Sequence, residues 1–258
     1  MNWRRLGPIY DLMVALQFLT RLPMPRDLNP EGDALGKAAS YFPVVGLVVG
    51  GALGGLAWAL ADAPWPPVVH VAFVLALGVW ITGAFHEDGL ADTFDGLWGG
   101  WRREDVLRIM RDSRIGTYGA CALLALFVFR GAALLGMERA FWPAALALAH
   151  TVGRTSSLPL LIGLPYARAE ENPGVAKPLV EGLTWTRFAL GLVFAVAIAW
   201  ALAGSFGLQI LLGAAVLTAW CARYLLRRLQ GMTGDTLGAV NVLCEVAALL
   251  AMSWAHPA

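Results

Sequence analysis

Two stretches of this chain, residues 38–61 and 63–85, contain no Asp, Glu, Lys or Arg, and only Asp62 separates them. A helix needs about 20 apolar residues to cross the roughly 30 Å hydrocarbon core of a bilayer, and each stretch is long enough. Further apolar runs at 117–136, 140–162, 187–203, 206–222 and 237–254 bring the expected number of spans to about seven. Only 14% of the residues are charged, whereas a soluble domain carries about 25%. The 29 Gly and 11 Trp fit close helix packing and interfacial anchoring. The expected fold is an all-α polytopic integral membrane bundle, one catalytic domain over 1–258 embedded in a lipid bilayer.

The remaining charge is unevenly placed. With the N-terminus in the cytoplasm, the segments 1–37, 86–116, 163–187 and 223–236 hold 16 of the 19 basic residues, and the outside loops hold only Arg139. That asymmetry is the positive-inside pattern. Arg130 and Arg154 fall within expected spans, as does Glu245. The apolar run at 12–19 is too short to cross and reads as an interfacial helix. A net charge of +1 gives no electrostatic case for a nucleic-acid partner. Cys121, Cys221 and Cys244 lie far apart in apolar runs and read as small core residues. Gly46, Gly50, Gly51, Gly54 and Gly55 form small-xxx-small pairs suited to close helix approach. The sequence is compatible with a homo-oligomer but does not require one.

Against this economy, HEDGLADTFDGLWGG (86–100) spends four carboxylates: Glu87, Asp88, Asp92 and Asp95. Asp88, Asp92 and Asp95 stand at i, i+4 and i+7, and share one face of a helix continuing from the second span. Like charges at this spacing repel unless a cation lies among them. Oxygen-only ligands favour Mg2+, Mn2+ or Ca2+ over zinc. Downstream, RIMRDSRIGTYG (108–119) places Arg111 and Arg114 around Asp112. Carboxylates for a metal beside arginines for an anion are the parts phosphoryl transfer needs, although a solvated loop with ordinary salt bridges has the same composition.

A second polar patch, GMTGDTLGAVNVLCE (231–245), sets Thr233 and Asp235 at the mouth of the last span. They are candidate site residues or helix caps. In GRTSSLP (153–159), Arg154 either binds phosphate or snorkels to the interface. His86 reads as a base, a metal ligand or a phosphate contact, with a structural role as the rival. The segment YARAEENPG (166–174) reads as a substrate loop or a connector.

Five motifs in order resemble the cobalamin synthase family: FLTRLPMPR (18–26), YFPVVGLVVG (41–50), GAFHEDGLADTFDG (83–96), IMRDSRIGTYG (109–119) and TGDTLGA (233–239). The resemblance implies a Mg2+-dependent enzyme of the bacterial cytoplasmic (inner) membrane with its site on the cytoplasmic side. It would join adenosylcobinamide-GDP to alpha-ribazole or alpha-ribazole 5'-phosphate and release GMP, with the ribazole 3'-hydroxyl as nucleophile. On this chain, Asp88, Asp92 and Asp95 would hold the metal and diphosphate. Arg111, Asp112 and Arg114 would assist at the phosphates or the metal, and Asp235 would bind metal or ribazole; His86 as a catalytic residue and Thr233 and Arg154 as substrate contacts complete the candidates.

Two rival functions are distinguishable by sequence. CDP-alcohol phosphatidyltransferases also use spaced aspartates, but carry an Ala-Arg pair after the first DG, where this chain has Ala91-Asp92. A permease would place its ionisable residues near mid-membrane, whereas most of those here gather at cytoplasmic mouths.

Overall fold

The computed structural model describes residues 3–25, 27, 28, 30, 33–168 and 176–258. Arg26 of the first motif and residues 169–174 of the YARAEENPG segment lie outside them, and so does the reading of that segment as a loop. The described residues are helical, with two isolated bridges and no strand. The helices are α1 (Pro8–Leu19), α2 (Ala34–Ala38), α3 (Phe42–Ala59), α4 (Pro67–Thr82), α5 (Phe85–Gly99), α6 (Arg103–Ile109), α7 (Thr117–Leu135), α8 (Trp142–Gly163), α9 (Lys177–Gly182), α10 (Trp185–Leu229) and α11 (Gly234–Ala255).

All seven segments expected to span lie on helices. By length and apolarity four described elements can cross a membrane: Ala34–Ala59, α7, α10 and α11. The number is five if α4 and α5 form one bent span. Helix α10 has 45 residues, about 67 Å at 1.5 Å per residue, twice the hydrocarbon thickness. It breaks at Ala203 and Gly204, whose backbone is non-helical, with Gly204 at φ 56°. A Cβ on Gly207 would lie 2.1 Å from the Ala199 carbonyl oxygen. Residues eight apart touch this closely only if the chain doubles back, so α10 is two arms joined by a tight turn.

Helix α8 is the centre of the bundle and packs against α3, α10 and α11. Its polar residues His150, Thr151, Arg154, Thr155, Ser156 and Ser157 are all buried, which is tolerable because protein rather than lipid surrounds them. The glycine seam of α3 makes this packing possible. Added Cβ atoms on Gly46 and Gly50 would each come within 2.3 Å of α8 carbonyl oxygens, and one on Gly54 within 2.7 Å of Pro143. Gly51 and Gly55 face open space, so three of the five seam glycines set the approach. Helix α1 is twelve residues long, and its half-apolar surface packs into the core through Tyr10, Val14, Ala15 and Leu19.

One expectation is corrected. The acidic helix does not continue from the second span: α5 leaves α4 at 88°. Gly83 and Ala84 both adopt left-handed backbone, at φ 64° and 59°. A helix cannot propagate through two such residues. With four carboxylates in fifteen residues, α5 is too charged for hydrocarbon, and we read it as lying outside the crossing segments.

Candidate active site

The bend sets α5 against the start of α11. A Cβ on Gly89 would meet the Asp235 carbonyl oxygen at 2.7 Å, and one on Gly238 would lie 3.3 Å from the His86 backbone. Gly89 therefore permits an approach that a side chain would prevent, and Gly238 keeps the same contact free of crowding. This contact brings Asp235 to the Asp88–Asp92 face, a pairing across almost 150 residues of sequence that spacing does not reveal. Burial, and then the Asp88 and Asp235 carboxylates, push the Asp92 carboxyl up to about 7. Three carboxylates thus share a small volume with too little positive charge.

Among the described residues Arg168 is the cation paired with this group, its guanidinium donating to Asp235, and the Thr233 hydroxyl donates to the same Asp235 oxygen at 3.3 Å. A short parallel bridge positions Arg168. Ala167 N donates to the Met232 carbonyl at 2.8 Å, and Met232 N to the Pro165 carbonyl at 2.9 Å. Gly231 allows this, since a Cβ there would sit 2.3 Å from the Pro165 oxygen.

Arg168 also lines a cavity of about 440 Å³ with Arg103, Arg108 and Arg111 of the α6 region. Arg103 braces that wall, donating to the Leu229 and Ala167 carbonyls at 2.8 and 2.6 Å. An acidic group and an arginine-lined cavity therefore meet at one shared residue. Such an arrangement can hold a polyphosphate, with carboxylates toward a bound cation and guanidinium forks toward phosphate oxygens. Arg103 and Arg168 lie in segments the sequence marks, the 86–116 loop and YARAEENPG (166–174), but nothing in their spacing singles them out as site residues.

The structure gives Asp95 a different job from metal binding. Its Oδ2 accepts from Gly116 N at 2.7 Å and its Oδ1 from Gly119 N at 2.8 Å. It caps the N-terminus of α7 from another helix. Gly116 and Gly119 must lack side chains, because a Cβ on either would lie 2.4 Å from this carboxylate. Asp95→Ala is expected to destabilise the protein by about 1–2 kcal/mol, the value of a lost helix cap. Thermal unfolding should show the same loss with and without Mg2+; a loss seen only with Mg2+ would return Asp95 to the metal site.

Other expectations also change. Asp112 pairs with Arg114 at 2.7 Å on an exposed turn, outside the acidic group and outside the arginine-lined cavity. The Arg114 guanidinium holds the Asp112 carboxyl down at about 2. Of that motif Arg108 and Arg111 line the cavity, and Asp112 and Arg114 do not. Thr233 is wholly buried and forms a capping box with Thr236, donating and accepting across 2.9 and 3.3 Å. It shapes the start of α11, and its hydroxyl also donates to Asp235 at 3.3 Å.

Arg154 neither snorkels nor reaches the site: it is 1% exposed, in the bundle interior. Its guanidinium donates to Glu245 at 2.7 Å. Glu245 also accepts from Arg130 at 2.6 Å and lies 3.1 Å from His150, while Arg130 reaches Glu87 at 2.7 Å. These five side chains are buried and tie α5, α7, α8 and α11 together. His86 lines the same narrow interior cavity as this network, packed edge-on to Phe85. The structure thus directs it inward and not toward the carboxylates as base or ligand.

Among the described residues no three His, Cys, Asp or Glu side chains are arranged to enclose a metal ion. The acidic group nevertheless fits Mg2+, which commonly takes one or two carboxylates and completes its shell with water and substrate phosphate. The carboxyl of Asp92, disfavoured as an anion by burial and its acidic neighbours, is the observation that asks for a cation.

The cobalamin-5-phosphate synthase family profile matches residues 11–253. The chain is 42% identical over 248 residues to the adenosylcobinamide-GDP ribazoletransferase of Leptothrix cholodnii, covering 92% of each protein. It is 40% identical over 243 residues to the protein of that name from Shewanella woodyi, covering 92% of this chain and 93% of the relative. The Shewanella oneidensis protein of the same name is 37% identical over 236 residues, with coverage of 90% and 89%. No solved structure is significantly similar.

Proposed function

The chain belongs to the cobalamin-5-phosphate synthase family, and from that premise we propose that it joins adenosylcobinamide-GDP to alpha-ribazole or its 5'-phosphate, releasing GMP. The observation that carries this reading is the meeting, at Arg168, of the Asp88–Asp92–Asp235 group with the arginine-lined cavity. A diphosphate donor needs both halves. The phosphatidyltransferase and permease readings lose their support, since the family and the named relatives are ribazoletransferases.

In this reading Asp88 and Asp92, with Asp235 beside them, would hold Mg2+. The bound ion supplies charge neutralisation for the phosphoryl group and for the departing GMP. Arg111 and Arg168 orient the phosphate oxygens, and Arg103 keeps the cavity wall in place. Attack by the ribazole hydroxyl forms the new O–P bond as the bond to the GMP oxygen breaks, and the hydroxyl proton leaves to solvent or to a nearby base. In this reading the site lies at the cytoplasmic side of the inner membrane, which the excess of basic residues in the loops on that side supports.

The deciding experiment is GMP release by the purified protein in detergent with adenosylcobinamide-GDP, alpha-ribazole and Mg2+. Release is expected only when all three are present, and chelation of Mg2+ should stop it. GMP release independent of alpha-ribazole would indicate a hydrolase and overturn the reading. Comparing alpha-ribazole with its 5'-phosphate in kcat/KM then shows which acceptor the protein favours.

A further inference from the structure

A second cavity, of about 320 Å³, lies between α5, the second arm of α10 and the start of α11, and so shares α5 and α11 with the acidic group. Stacked aromatic pairs form two of its walls, Phe94 with Trp98 and Trp220 with Tyr224. Trp98 and Trp220 are 51% and 65% exposed, so large aromatic faces stand open to an occupant.

The lining includes Thr93 and Thr236. Thr236 is fully engaged in the cap of α11. The Thr93 hydroxyl is different: the residue is 4% exposed and its oxygen has no hydrogen-bond partner. Helical threonines commonly return the hydroxyl to the carbonyl four residues back. Thr82, Thr151, Thr155 and Thr218 all do so in this bundle. A buried unsatisfied hydroxyl is costly, and Thr93 directly follows Asp92 in the sequence.

We propose that this groove is the acceptor subsite, and that it takes the flat heteroaromatic base of the nucleoside between its aromatic walls with Thr93 as the polar contact. The inference rests on the ribazoletransferase reading and adds to it the place where the acceptor binds. Aromatic side chains recognise bases through stacking, which tolerates variation in the ring. A lipid acyl chain would fill the apolar volume but leave Thr93 unsatisfied; a heteroaromatic nucleoside brings both a π-face and hydrogen-bonding atoms.

The test is steady-state GMP release with alpha-ribazole varied at saturating donor, and then the reverse, for Trp98→Ala, Trp220→Ala and Thr93→Val. The acceptor KM should rise roughly ten-fold in the tryptophan variants, as the loss of one stacking partner implies, and roughly five-fold in Thr93→Val. Donor KM should stay at the wild-type value, and Trp98→Phe should recover most of the loss. Calorimetric titration of alpha-ribazole without donor gives the same answer for any variant too slow to assay. Unchanged acceptor KM and binding in folded variants would overturn the proposal. So would a rate defect that added phospholipid repairs at unchanged acceptor KM, which would make the groove a lipid site. Failure of the wild type to release GMP from both substrates would instead overturn the ribazoletransferase reading.

Discussion

Asp92→Asn is expected to lower GMP release by about 10²–10³-fold, the scale seen when one preorganised group that stabilises developing charge is removed. Asn preserves the shape of the side chain and removes its charge. It also relieves the crowding of Asp92 with Asp88 and Asp235, so the variant should fold at least as stably as wild type. Reduced activity with undiminished stability is the signature of a residue that holds strain for function. The remaining activity should need a higher Mg2+ concentration to saturate. Full activity with an unchanged Mg2+ dependence would remove Asp92 from the metal site, while leaving the family assignment intact. A matched Asp88→Asn variant should show the same direction of change, since the two carboxylates stand one helical turn apart.

The largest expected effect on stability falls on Glu245. Both its carboxylate oxygens are engaged, one by Arg130 and the other by Arg154 and His150. Glu245→Gln leaves two buried guanidinium groups facing only the Glu87 carboxylate. Breaking a buried pair by removing one partner costs about 3–5 kcal/mol, or a fall of roughly 10 °C in Tm for a domain of this size. Thermal unfolding in detergent measures it. The mechanism predicts a non-additive partner: Glu245→Gln with Arg154→Met removes one charge of each sign and leaves Arg130 with Glu87. The double variant should therefore be more stable than Glu245→Gln alone. Costs that simply add would mean that packing, and not charge balance, sets the contribution of Glu245. Because Arg130 also holds Glu87, the neighbour of Asp88, loss of the network should disturb the acidic face of α5 in activity as well.

The sequence by itself determined the solvent of this protein and the content of its site. Charge-free runs at 38–61 and 63–85 leave little alternative to apolar helices, because unpaired backbone groups in hydrocarbon cost too much. The crowding of Asp88, Asp92 and Asp95 in a chain so poor in charge marked α5, and order along the chain was enough to recognise the family. These features are local, and local patterns survive in one dimension. The tertiary structure decided which of the marked residues meet. A pair of left-handed residues, Gly83 and Ala84, turns α5 through 88° and carries its acidic face to Asp235. Asp95, one turn from Asp92 and chemically the same, is consumed by two amide groups of α7. Arg154, Arg130 and Glu245 were visible as charges inside spans, yet their mutual neutralisation depends on how α7, α8 and α11 pack. Arg168 lay in a segment readable either as a substrate loop or as a connector, and a bridge to Met232 brings it to Asp235. Composition fixes how much charge a membrane chain can carry, but only packing decides which charges cancel inside the bundle and which are left to hold a substrate.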